Sequence, residues 1–164
     1  MKKFLVIILI FTLTNCSFFK KKTSYLFIQS SESATYNGKV LHLNKISKNI
    51  TFFSDRPRRI TGNISNADFV KIWNNTKQKN SFKKDPPNSA IYFLDEKKNL
   101  KSAIVENSDL TFHKNSASYE VKILSGKLSR NMRQVVIFID NTELSTPGVY
   151  VNEVGGFSNS VVPD

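Results

Sequence analysis

The chain has 164 residues, 40% of them hydrophobic and 12% aromatic, which suffices for one domain with a packed core, leaves little room for two, and excludes disorder throughout. Lys and Arg number 24 against 13 Asp and Glu, a net charge of +11, and six Gly with five Pro exclude a collagen-like or low-complexity chain. One Cys and two His leave almost nothing for metal or redox chemistry.

Lys2 and Lys3 precede an apolar run from Phe4 to Phe11, which fades through Thr12, Leu13, Thr14 and Asn15 to Cys16. A charged start and a short apolar block make the pattern of an export signal, and the block falls well short of the roughly 20 residues of a spanning helix. Leu13-Thr14-Asn15-Cys16 resembles the lipobox of bacterial lipoproteins, with Asn15 where Gly or Ala is usual. The resemblance implies removal of residues 1–15 and a diacylglycerol on the Cys16 sulfur, the one covalent group expected. Lipidation also removes the liability of an unpaired thiol in an oxidising compartment. Ser17, being other than Asp, implies the outer membrane facing the periplasm; the alternative is an ordinary signal and a soluble periplasmic or secreted protein.

Residues 16–23 are expected to form a basic tether, with Lys20, Lys21 and Lys22 placed to meet anionic headgroups at about 1 kcal/mol each. Setting these and Lys2 and Lys3 aside leaves 19 basic against 13 acidic residues, a net +6. Export and scattered lysines without an aromatic–basic motif argue against nucleic acid as a partner.

The pattern beyond the tether predicts a mainly β fold, a single antiparallel β-sandwich or barrel over 24–154, with one short helix and a loose tail at 155–164. Tyr25 to Ile28 makes a first strand. Val40 to Leu43 follows the turn dipeptide Asn37-Gly38, and Ile50 to Phe53 follows Ser47-Lys48-Asn49, so these two read as a hairpin. The helix is expected over about 65–75: Ser65 is the N-cap, Asp68 stands at capping-box spacing, Ile64 and Phe69 form a staple, and Phe69, Ile72 and Trp73 share one face. After Asp85-Pro86-Pro87-Asn88, Ala90 to Leu94 reads as a central strand, apolar on both faces, returning through a polar loop into Leu100 to Val105. Leu110 and Phe112 make a shorter separate piece. Tyr119, Val121 and Ile123 alternate with polar residues and turn at Ser125-Gly126, Val135 to Ile139 gives another strand, and Thr146-Pro147-Gly148 turns towards Val149 to Val151.

Phe53-Ser54-Asp55-Arg56-Pro57-Arg58-Arg59-Ile60-Thr61-Gly62, followed by Phe69, Trp73, Phe82 and the Asp85 to Asn88 segment, resembles an uncharacterised family of exported bacterial proteins over about residues 36–125. The resemblance implies a single domain and brings no reaction. Read physically, Pro57 holds Arg56 extended, and Asp55 at a strand end can cap backbone N–H groups or accept a fork from Arg56, Arg58 or Arg59. Arg is used there although Lys dominates the chain, which points to planar bidentate geometry, either as a structural network or as an anion site. Asp85 and Asn88, flanking two prolines, read as a rigid turn or a recognition loop.

His42 lies opposite Leu41 and Leu43 on its strand and His113 ends another, so both read as surface or rim residues. No nucleophile elbow, Walker loop or calcium loop occurs. The composite expectation is a membrane-anchored envelope lipoprotein acting as a non-enzymatic binding or structural module. Asp55, Arg56, Arg58, Arg59, Trp73, Asp85 and Asn88 are its candidate network, and an envelope protein or anionic envelope component its partner. The alternative is a carboxylate-dependent enzyme using Asp55 and Asp85.

Overall fold

The computed structural model describes residues 24–54, 60–76, 81–141 and 160–161. The signal segment 1–15, Cys16, the tether 16–23, Asp55, Arg56, Arg58, Arg59 and the 146–151 turn lie outside these residues.

Among the described residues nine strands and one helix follow in order: β1 (Tyr25–Tyr36), β2 (Val40–Ile46), β3 (Asn49–Ser54), β4 (Ile60–Ser65), α1 (Asn66–Trp73), β5 (Asn88–Leu94), β6 (Leu100–His113), β7 (Ser116–Gly126), β8 (Asn131–Asn141) and β9 (Ser160–Val161). The sheet is antiparallel, and the order β2-β7-β6-β5-β8-β1 closes on itself through a β1–β2 pairing. This is a six-stranded barrel, with β3, β4 and β9 extending outside it from β1. Closure gives every barrel strand a partner on both sides over at least part of its length, which limits the open edge that would otherwise invite aggregation. Of the segment read as a tail, Ser160 and Val161 pair with Thr61 and Ile60.

The barrel interior is filled by the inward set of each strand, among them Phe27, Leu41, Leu43, Ile91, Phe93, Val105, Tyr119, Ile137 and Ile139, each at most 2% exposed. Alternation along β5 puts Ile91 and Phe93 inside, and pairing to β6 and β8 makes that strand central, as its composition predicts. Its other face is open to solvent at Tyr92.

The expected hairpin of Val40–Leu43 with Ile50–Phe53 does not form. Both segments pair with β1 instead, β2 with its second half and β3 with its first. Between the pairs Ser31↔Ile46 and Ile28↔Thr51, three steps along β1 oppose five along its partner, so Ser47 and Lys48 form an outward break in one nearly collinear strand. Ser47 N–H still donates to Ser30 C=O at 2.9 Å. Beyond the break β3 leaves the barrel to pair with β4. A strand as long as β1 can serve two partners, and that long-range competition outweighs the local turn signal.

The pieces read separately as Leu100–Val105 and Leu110–Phe112 are one strand, β6, with register irregularities at Ile104/Val105 and Asn107/Asp109. The polar run that seemed to interrupt it is accommodated because Asn107 turns inward and its Nδ2 donates to Ser89 Oγ at 2.7 Å, while the bulge brings Leu110 back into the core.

The helix forms as the sequence predicts. Ser65 Oγ accepts the Asp68 N–H at 3.2 Å and donates to Asp68 Oδ2 at 2.7 Å, and Lys71 Nζ lies 2.9 Å from Asp68 Oδ1. Partial burial pushes the Asp68 carboxyl up, but the Ser65 hydrogen bond and Lys71 outweigh it and hold it below its ordinary value. Eight residues are too few for an independent helix, so tertiary packing sustains it. Phe69, Ile72 and Trp73 supply that packing, each buried side chain contributing about 1.5–3 kcal/mol. The Trp73 ring stacks on Phe82 at 4.8 Å and meets Phe69 and Tyr119 at 5.9 and 5.7 Å.

Candidate functional site

The rim where β1 ends and β2 and β8 begin carries a groove of about 750 Å³, with Tyr36, His42, Leu128, Arg130 and Asn131 in its wall. Two smaller hollows of about 490 and 310 Å³ adjoin it, and Asn131 borders all three. This rim is at the opposite end of β1 from Ser54, which pairs with Tyr25 and precedes the segment 55–59.

Three local devices build the groove. Asn37-Gly38 turns β1 into β2: Asn37 Oδ1 accepts the N–H groups of Lys39 and Val40 at 3.0 and 2.8 Å, and Gly38 takes the left-handed φ of 100°. The connection from β7 to β8 dips inward at Leu128, which packs on the core, and the Tyr36 N–H then binds the Arg130 carbonyl at 2.9 Å. Asp95 braces the β5–β6 turn by accepting the N–H groups of Lys97 and Asn99 at 2.9 and 2.8 Å, and Asn131 Nδ2 ties that turn to β8 through Glu96 Oε1 at 2.7 Å. The Asn99 N–H bond holds the Asp95 carboxyl below its ordinary value against a smaller opposing effect of burial.

Among the described residues the Arg130 guanidinium has no carboxylate partner. The nearby acids are engaged elsewhere: Glu96 by Asn131, Asp95 by its own turn, and Glu120 by Lys39 at 3.0 Å. A fixed backbone, a free planar fork and a partly apolar floor of Val40 and Leu128 suit a carboxylate- or phosphate-bearing ligand. Arg133 borders the adjoining hollow, so the two arginines among the described residues sit on one rim.

His42 lies opposite Leu41 and Leu43, which are fully buried, and its own ring is half-buried, as its strand position predicts. Its Nδ1 is 2.7 Å from Ser118 Oγ on β7, a cross-strand pair that sequence spacing could not reveal. Among the described residues no carboxylate orients the other ring nitrogen, and a nucleophile–base pair needs that third group to hold its tautomer and direction.

The sequence-derived candidates on the described chain separate rather than converge. Trp73 is fully buried and belongs to the aromatic core, with no face to offer a partner. Asp85 and Asn88 are exposed on either side of buried Pro87, whose carbonyl accepts the Asn107 N–H at 2.9 Å, and the Asp85 N–H closes a turn on Ser81 C=O at 2.9 Å. Arg130, Tyr36 and His42 were not among the candidates. The signal that singles out Arg56, Arg58 and Arg59, arginine in a lysine-dominated chain, applies equally to Arg130 and Arg133.

A buried polar pair lies inside the barrel. Tyr119 O–H donates to Gln29 Oε1 at 2.5 Å, both residues being fully buried, and burial pushes the Tyr119 hydroxyl far above its ordinary value so that it remains a donor. Gln29 Nε2, Asn107 Oδ1 and Trp73 Nε1 have no protein partner among the described residues.

No group of three or more His, Cys, Asp or Glu among the described residues is arranged to hold a metal ion, and no described helix is long and apolar enough to cross a membrane. No family model, curated protein or solved structure matches the chain.

Proposed function

We propose that the protein is a lipid-anchored module of the bacterial cell envelope, held at the outer membrane through Cys16 and facing the periplasm, that binds an anionic partner without turning it over. The anchoring part rests on the charged start, the short apolar block and the lipobox-like Leu13 to Cys16. The binding part rests on one observation, the Arg130 guanidinium, which has no carboxylate partner among the described residues, on a pinned backbone at the mouth of a groove of about 750 Å³. The Arg-rich segment Asp55 to Arg59 is the second candidate seat, on the chemistry of its residues.

Photocrosslinkers placed at Thr35 and Asn37 in living cells test the reading, with Cys16→Ala run beside them for anchoring. A discrete envelope adduct that is lost in Arg130→Ala and weakened in Arg130→Lys supports a bidentate seat. An adduct indifferent to Arg130 but lost in Arg58→Ala moves the seat to the second candidate. Adducts indifferent to both, in a folded and anchored protein, refute anion binding.

A further inference from the structure

The outward residues of the central strand, Ala90, Tyr92 and Leu94, carry no charge. The outward neighbours of Ala90 and Tyr92 continue that character, whereas Leu94 pairs with Arg133 at the border. Ala90 lies between Phe138 of β8 and Ile104 of β6, Phe138 faces Ile28 of β1, and Tyr92 packs edge-on against Phe138 at 5.8 Å. Tyr92 is 44% exposed, Ile104 47% and Phe53, across from Leu26 on β3, 41%. An uncharged band across five strands, a wall flanked by Asp140 beside Leu26 and by Arg133 beside Leu94, in a chain with 23% charged residues, marks a surface that something covers.

The position of the wall identifies its cover. Cys16 precedes Tyr25 by nine residues, a stretch that spans at most about 30 Å when extended. The chain enters β1 at Tyr25, beside Leu26 and Phe53, so the wall begins where the tether arrives. At its other border, near Leu94 and Leu100, stand the exposed Lys97, Lys98 and Lys101. Apolar and aromatic side chains bordered by lysines match the boundary between acyl chains and anionic headgroups. The same positive charge opposes pairing with a second copy of the chain.

We propose that this outer wall rests on the bilayer to which Cys16 anchors the protein, an inference that builds on the lipid-anchor reading. The contact leaves the β2–β7 side and the Arg130 groove facing water, so that tether and wall together orient the binding site.

The test uses the full chain, produced with its signal in bacteria and reconstituted into phosphatidylethanolamine–phosphatidylglycerol vesicles. A polarity-sensitive thiol dye is attached to Tyr92→Cys, to Ile104→Cys and, as control, to Lys114→Cys in the β6–β7 turn. Blue-shifted emission and quenching by spin-labelled acyl chains at 92 and 104, with a water-like signal at 114, is the expected result. In the unlipidated Cys16→Ser chain, Tyr92→Ser with Ile104→Ser should weaken residual vesicle binding about tenfold. Three equally water-exposed dyes on protein that still floats with the vesicles would overturn the docking and leave the anchor standing. Dye shifts in cells but not on pure lipid would overturn it in favour of a protein cover. Dye entering the unsubstituted chain at Cys16 would remove the anchor itself, and the orientation with it.

Discussion

Replacing Tyr119 with Phe removes one oxygen atom from the barrel interior and nothing else. The hydroxyl donates to Gln29 Oε1 at 2.5 Å, and neither residue has measurable exposure, so water cannot take its place. The loss comprises about 1 kcal/mol of net hydrogen-bond stabilisation and the desolvation of an orphaned acceptor, together about 2 kcal/mol. For a chain of this length that corresponds to a fall in Tm of about 4–8 °C. Gln29→Leu removes the acceptor and also Nε2, which lacks a protein partner among the described residues. Tyr119→Phe with Gln29→Leu should therefore return close to the wild-type stability, with a coupling energy of about 1–2 kcal/mol in the double-mutant cycle. Trp73 is the single tryptophan and is fully buried, so its fluorescence in urea reports the unfolding of all four proteins. A Tyr119→Phe variant within about 0.5 kcal/mol of wild type, or a double variant less stable than the sum of the singles, would refute the reasoning.

Gly126→Ala combines a φ of 77° with a Cβ that would sit 2.7 Å from the Ser102 carbonyl oxygen, whereas Gly38→Ala has a φ of 100° and open space, so urea melts should show Gly126→Ala costing about 1–3 kcal/mol and Gly38→Ala distinctly less. Ser65→Ala should cost about 1 kcal/mol through the lost cap. Because the folded Asp68 carboxyl lies below its ordinary 3.8, its contribution is fully present above that pH and is lost as pH falls through the folded value. In acid melts the gap between wild type and Ser65→Ala should therefore narrow below pH 3.8 to what the neutral cap alone contributes, and a constant gap would refute the assignment. Trp73→Ala, which empties a site between Phe82 and Tyr119, should cost about 3–5 kcal/mol by circular dichroism melts, and a loss under about 1 kcal/mol would refute the packing.

The helix at Asn66–Trp73 was legible because cap, staple and apolar face are all set by residues within nine positions of one another. The Asn37-Gly38 turn was legible for the same reason. The supposed hairpin after Leu43 was not, because the choice between pairing with a neighbour and pairing with β1 depends on a strand more than ten residues upstream. In β6 the polar run at Asn107 looked like a break, since nothing nearby in sequence announces that Ser89 waits inside to receive it. The candidate site fared similarly: Trp73, read both as part of the apolar helix face and as a member of the candidate network, is core, and Arg130, passed over, is a guanidinium at the groove with no carboxylate partner among the described residues.

Composition and periodicity by themselves determined a single, mainly β domain with one capped helix, because the twofold and helical repeats of apolar residues are properties of adjacent positions. Tertiary structure alone decided that the sheet closes into a six-stranded barrel, that β1 serves both β2 and β3, and that Tyr36, His42 and Arg130 meet on one rim. Those outcomes depend on which distant strands share a register, and register is settled by the fit of whole inward faces when the barrel closes.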